Sequence, residues 1–131
     1  HARFMTHPSD PVSLSPGVDF ELAVRDIAVG EEITCDYSSL NLEQDLTCLC
    51  GHPSCRGQIR ASDVAGLANV WDARLRDAVS RAPHVEQPLG SLVKDREALD
   101  RWAAHPEELP SALRHRYPFH DAVARHVRAA R

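Results

Sequence analysis

Three of the four cysteines, Cys48, Cys50 and Cys55, fall within eight residues in the pattern C-x-C-x4-C. Thiolates spaced this closely can meet on one ion. Zinc takes four ligands, with thiolate sulfurs at about 2.3 Å, and closes its site when the role is structural. Such an ion can fold a segment that has no core of its own. Gly51 and Gly57 supply the backbone freedom that a wrap this tight requires. Three thiols leave one position to fill, and Cys35, His52 and His7 are each open as the fourth ligand. A loop with three unmetallated thiols is the plainer alternative. Upstream, Gly30-Glu31-Glu32-Ile33-Thr34-Cys35 leads into the pair Asp36-Tyr37. Glu31 and Glu32 could pass for a catalytic carboxylate pair. No acid–base partner is placed near them, so they read as turn residues.

The elements that must position these residues follow from periodicity. From Val18 to Arg25 apolar and polar residues alternate, with Val18, Phe20, Leu22 and Val24 on one face. That pattern predicts a half-buried strand. Gly30 marks a turn, after which Ile33, Cys35 and Tyr37 share one face of a predicted second strand, an arrangement that favours the core for Cys35. An ordinary antiparallel pair with a core tyrosine accounts for the same pattern. Pro8, Pro11 and Pro16 make residues 1–17 irregular, with room for a short extended piece at Ala2–Met5. Residues 38–47 read as a polar connection with one helical turn at Leu42–Leu46. Cys48 to Arg56 is too tight for regular structure.

From Ala61 the character changes. Ser62 or Asp63 can cap a helix, and Val64, Leu67, Trp71, Leu75 and Val79 recur at helical spacing as far as Pro83. A linker precedes a second helix, opened by Ser91, with Leu92, Leu99 and Trp102 on its apolar side and a stop at Pro106. A short helical piece at Pro110–Arg116 and a last one carrying Phe119, Val123 and Val127 complete the chain. Trp71 and Trp102 read as core residues, and the basic and histidine residues of the tail as a solvated helix end. The expected class is α+β: residues 1–60 form a β-rich piece containing the cysteine-rich loop, and 61–131 an α-helical extension.

Composition narrows the function. Apolar residues make up 43% of the 131, enough to build a core. Residues 1–60 carry nine acids and four Lys/Arg, a net of -5, and residues 61–131 carry ten and eleven, a net of +1. Neither half has the charge of a nucleic-acid-binding domain. No apolar run reaches membrane-spanning length, and clustered cysteines suit a metal site in a reducing compartment. These features predict an intracellular, cytoplasmic protein. Its oligomeric state is left open by the sequence.

Three stretches together resemble the SET family of protein-lysine methyltransferases, in the style of its bacterial members. Arg3-Phe4-Met5-Thr6-His7 is similar to that family's R-F-I-N-H segment, Gly30-Glu31-Glu32-Ile33-Thr34-Cys35-Asp36-Tyr37 to its G-E-E-hydrophobic-T-x-D-Y strand, and Cys48, Cys50, Cys55 and Gly57 to its post-SET pattern. The resemblance covers roughly residues 2–60. It implies methyl transfer from S-adenosylmethionine to the lysine amine of a protein substrate, with Tyr37 as the active-site tyrosine. It places Arg3, Phe4, Thr6, His7 and Leu49 around the cofactor and zinc on Cys48, Cys50 and Cys55.

The chain departs from the pattern at three positions. Thr6 replaces an asparagine, Ser9 stands where the family places the fourth zinc thiolate, and Val12 replaces a closing asparagine. The family's Gly-rich cofactor motif has no counterpart before Arg3, which predicts an N-terminally incomplete chain. A non-catalytic SET-derived protein-binding module and a small zinc-binding structural domain are the alternative readings.

Overall fold

The computed structural model describes residues 5–18, 20–40 and 42–115, without the side chain of His115. Arg3 and Phe4 lie outside the described residues, as does the predicted last helical piece around Phe119, Val123 and Val127. The class is α+β, with short antiparallel strand pairs followed by helices.

Strand β1 (Ser13–Leu14) pairs antiparallel with β2 (Leu22–Ala23), Ser13 opposite Ala23 and Leu14 opposite Leu22. The predicted Val18–Arg25 strand is thus reduced to two residues, but its apolar face is correct. Val24 is buried, and Val18, Phe20 and Leu22 pack against the core. The partner strand β1 escaped the sequence reading because of the prolines around it. Pro11 and Pro16 flank residues 12–15, so β1 keeps all its donors.

The predicted second strand is corrected. Residues 31–36 contain only an isolated parallel bridge, Thr6 to Thr34, and Tyr37 opens a 3-10 turn, Tyr37–Leu40. Alternation fails here because Ile33 is 55% exposed whereas Thr34, Cys35 and Asp36 are all buried in succession. Each of these three finds a polar or apolar environment of its own, so no single face is defined. The helical turn expected at Leu42–Leu46 is absent; the turn forms earlier, where Ser39 N–H bonds back to the Asp36 carbonyl at 3.1 Å.

The cysteine segment is closed at its base by β3 (Leu46–Thr47) and β4 (Gln58–Ile59), which pair antiparallel. Between them the backbone is irregular, as its spacing predicted. Gly51 and Gly57 have φ of 68° and 70°, a left-handed conformation that costs glycine little. Gly57 accepts from Cys48 N–H at 2.9 Å, which fixes the neck of the loop.

Helix α1 (Asp63–Arg81) buries Val64, Ala68, Trp71, Leu75, Ala78 and Val79, a stripe at spacings of three and four. Ser62 makes no side-chain cap; instead Asp63 Oδ2 accepts from Arg60 N–H at 3.0 Å. Helix α2 (Arg96–Ala104) starts later than expected. Asp95, not Ser91, is its cap, with Oδ1 accepting from Ala98 N–H at 2.9 Å. Ser91 lies instead in a 3-10 turn, and Leu92 is 74% exposed. Ala98, Leu99 and Trp102 of α2 join α1, Leu14, Val24, Leu109 and Ala112 in one apolar cluster. The Phe20 and Trp102 rings lie 6.4 Å apart in that cluster. The helical part therefore shares its core with β1 and the end of β2.

Candidate functional site: a threaded segment, an Asp-Tyr pair and a thiol cluster

The segment Met5–Asp10 runs parallel to Thr34–Tyr37. Cys35 N–H donates to the Thr6 carbonyl at 3.1 Å, and Tyr37 N–H donates to His7 Nδ1 at 3.2 Å. The Tyr37 hydroxyl donates to the Met5 carbonyl at 2.6 Å. The His7 and Tyr37 rings lie 5.4 Å apart, tilted by 42°. Every one of these bonds joins residues about thirty positions apart, so the pairing is a product of the tertiary fold.

Asp36 is the polar hub beneath Tyr37. It is 2% exposed and accepts from Ser38 N–H at 3.0 Å and Ser38 Oγ at 2.7 Å. Arg56 Nη2 straddles the carboxylate at 2.8 and 2.9 Å. Burying a carboxylate is costly unless it is paired and hydrogen-bonded, and these partners supply both. Arg56 follows Cys55 directly, so its guanidinium ties the cysteine loop to the Asp-Tyr pair. His7 Nδ1 lies 3.7 Å from Asp36 Oδ1. Burial holds His7 below the usual histidine pKa, outweighing the opposing pull of Asp36. Its Nε2 is buried with no hydrogen-bond partner among the described residues.

The three thiols converge: the Sγ atoms of Cys48, Cys50 and Cys55 all lie within 4.8 Å of one another. Ser9 reaches into the same cluster from the threaded segment. Its Oγ is 3.5 Å from Cys50 Sγ and 3.9 Å from Cys48 Sγ, and it accepts from Arg56 N–H at 3.3 Å. Burial pushes the Cys48 thiol up, whereas the Ser9 hydrogen bond pulls Cys50 down to about 6. Cys35 stands apart in the interior, 1% exposed, with burial raising its thiol to about 12.

Of the residues singled out in the sequence, His7 and Tyr37 are in contact, Thr6 joins them through its backbone, and the three cysteines cluster. Leu49 points away, 89% exposed, and the Thr6 side chain is exposed. The sequence reading missed Arg56 and Asp36 as a pair. The one available signal was their position: an acid immediately before the tyrosine and a base immediately after the last cysteine.

A parallel bridge, an Asp-Tyr pair and a knuckle of three thiols in this order are the parts expected of a partial SET region, and comparison with known proteins agrees. A histone-lysine N-methyltransferase of Arabidopsis thaliana, ATX2, is 42% identical over 41 residues, 31% of this chain and 4% of that protein. The H3 lysine-4-specific histone-lysine N-methyltransferase of Schizosaccharomyces pombe is 37% identical over 65 residues, 44% of this chain and 7% of that protein. Its Saccharomyces cerevisiae counterpart is 38% identical over 66 residues, 43% of this chain and 6% of that protein. Over part of its length, then, the chain is similar to histone-lysine methyltransferases, as a partial SET domain would be, and it spans only a small fraction of theirs. No protein-family model matches the chain, and no solved structure matches it. Among the described residues, no helix is long and apolar enough to cross a membrane.

Proposed function

We propose that the protein carrying this chain transfers a methyl group from S-adenosylmethionine to the side-chain amine of a protein lysine. The observation that carries this reading is the laying of Met5–His7 against Thr34–Tyr37, locked by the His7–Tyr37 contact. It brings together two stretches, distant in sequence, on which the resemblance rests, and this supports the reading. The similarity to histone-lysine methyltransferases supports the same class. Residues 1–60 would then form the SET-derived part and 61–131 the helical extension.

The residues that the resemblance assigns to the cofactor offer suitable groups, although Leu49 is turned away from the His7–Tyr37 contact. His7 offers a buried nitrogen without a partner, Thr6 an exposed hydroxyl, and Leu49 an exposed apolar side chain. These three, with Arg3 and Phe4, would hold S-adenosylmethionine, which when bound supplies an electrophilic methyl on sulfur. Tyr37 would orient the incoming amine, and positioning of this kind supplies much of the acceleration in a transfer reaction. The amine must arrive without its proton, which a dry, apolar approach favours. The three thiols have the donor chemistry of a zinc site, and Cys48, Cys50 and Cys55 would hold the ion to shape the loop that carries Leu49.

A second reading has one specific observation in its favour. The Tyr37 hydroxyl already donates to the Met5 carbonyl, which suits a structural tyrosine in a non-catalytic module. The substitution Tyr37→Phe separates the two. With labelled S-adenosylmethionine and a lysine-peptide library, the intact protein should methylate, and Tyr37→Phe should cut the rate or change how many methyls are added while the fold persists. An unchanged rate and product distribution would remove Tyr37 from the site.

A further inference from the structure

We propose that Arg74, on helix α1, is a positioning residue of the site: its guanidinium clamps the elbow at Asp10-Pro11 and so holds Thr6 and His7 of the threaded segment against Thr34–Tyr37. The helical part is then a working component of the site and not an appendage to it. What the clamp does for methyl transfer rests on the function proposed above; what it does for the segment does not.

The geometry carries the argument. On the near side of the elbow, Cys35 N–H donates to the Thr6 carbonyl at 3.1 Å and Tyr37 N–H to His7 Nδ1 at 3.2 Å. On the far side, Val12 N–H donates to Thr34 Oγ1 at 3.2 Å and Ser13 N–H to the Thr34 carbonyl at 3.1 Å. Between them lies Pro8-Ser9-Asp10-Pro11, where two prolines remove two backbone donors and leave more of the anchoring to side chains. Arg74 supplies it from 64 positions away. Its Nη1 donates to Asp10 Oδ1 at 3.1 Å, and its Nη2 to the Pro11 carbonyl at 3.2 Å. One planar fork thus engages a carboxylate and a carbonyl together, which a point charge does less well.

The base of the clamp is fixed. Trp71 and Leu75, on either side of Arg74 in the chain, are 4% and 0% exposed, so α1 is seated in the core. Asp63 stands eleven residues before Arg74, about three turns away on the same side of the helix. Its Oδ2 lies 3.7 Å from Nη1 of Arg56, the partner of Asp36. Helix α1 also lies against the turn Tyr37–Leu40. One helix therefore backs the threaded segment, the Asp-Tyr pair and the cysteine loop. Arg25, whose charge also reaches Asp10, directs its guanidinium to Glu31 Oε1 at 2.6 Å and the Asp26 carbonyl at 2.9 Å. The clamp itself is partly exposed, with side chains 28% exposed at Arg74 and 45% at Asp10, so its removal should loosen the elbow without unfolding the chain.

Native-state amide hydrogen exchange in the 131-residue chain, at fixed metal content, tests this at Cys35 and Tyr37 N–H, which bond to the threaded segment. Arg74→Met should speed exchange at both by about fivefold or more, as expected for loss of charge-assisted hydrogen bonds at a partly exposed site. Val79 N–H within α1 and Cys48 N–H at the neck of the cysteine loop should keep their rates. Arg74→Lys should recover part of the loss. Asp10→Ala, which spares the Pro11 contact, should give a smaller change at the same two amides, and it decides the matter if Arg74→Met does not fold. Unchanged exchange at Cys35 and Tyr37 overturns the proposal, as does equal acceleration at all of these amides, which would make Arg74 a general stabiliser. In the intact protein, Arg74→Met should raise the KM for S-adenosylmethionine several-fold with a smaller change in kcat, because Thr6 and His7 are displaced. An unchanged KM overturns the positioning role. An unaltered intact protein that transfers no methyl overturns the proposed function instead, and the exchange rates then decide the clamp by themselves.

Discussion

Arg56→Met is the most informative perturbation of the frame. The Asp36 carboxylate is 2% exposed, and its ion-pair partner Arg56 is 21% exposed on its side chain. Among the described residues, removing the guanidinium leaves the carboxylate with the two Ser38 hydrogen bonds. Truncating one member of a fully buried pair costs about 3–5 kcal/mol, because the other charge is stranded. The partial exposure of Arg56 lets water reach the vacated position, so about 2–4 kcal/mol is expected. For a chain of this size that corresponds to a fall in Tm of roughly 8–15 °C. Because a single nitrogen, Nη2, makes both carboxylate contacts, a lysine ammonium can replace part of the interaction, and Arg56→Lys should lose less than Arg56→Met. Thermal unfolding followed by circular dichroism, at fixed metal content, measures both. Asp36→Asn closes a double-mutant cycle, in which the two positions should couple by about 1–3 kcal/mol. An Arg56→Met protein within about 0.5 kcal/mol of the unaltered chain, the range of an ordinary surface substitution, would refute the reasoning. Asp36 would then be stabilised by something other than this pair.

Two further outcomes are expected. Asp72, buried on α1, accepts from Ala112 N–H at 2.7 Å, and Ala112 is fully buried. Asp72→Ala should therefore cost about 1–3 kcal/mol by stranding that N–H, and Asp72→Asn, which keeps an acceptor, should cost less in the same denaturation assay; equal losses would show that the hydrogen bond is not the cause. In metal-free folded protein at pH 7.5, iodoacetamide should label Cys50 well before Cys35. The Ser9 hydrogen bond favours the Cys50 thiolate, whereas burial raises the Cys35 thiol to about 12. Peptide mass mapping over time checks the order, and early labelling of Cys35 would contradict its burial.

What the sequence determined by itself was whatever is written in local periodicity or tight spacing. The stripe Val64, Trp71, Leu75, Val79 placed α1 nearly to the residue, since a helix buries one face regardless of which partner covers it. C-x-C-x4-C required its thiols to meet, because so few residues cannot separate them far. The resemblance of Arg3–His7, Gly30–Tyr37 and the cysteine segment to lysine methyltransferases was also legible, and the matches to histone-lysine methyltransferases agree with it. Reading Ile33, Cys35 and Tyr37 as one strand face failed because burial there is set by three different neighbours and not by a pleat.

Only the tertiary structure decided which distant residues meet. Arg56 finds Asp36 across 20 positions, the Tyr37 hydroxyl finds Met5 across 32, and Ser9 finds Cys50 across 41. None of these separations has a period. Each pairing arises because the threaded segment, the Asp-Tyr pair and the cysteine loop must share one small volume, in which every buried polar group requires a partner.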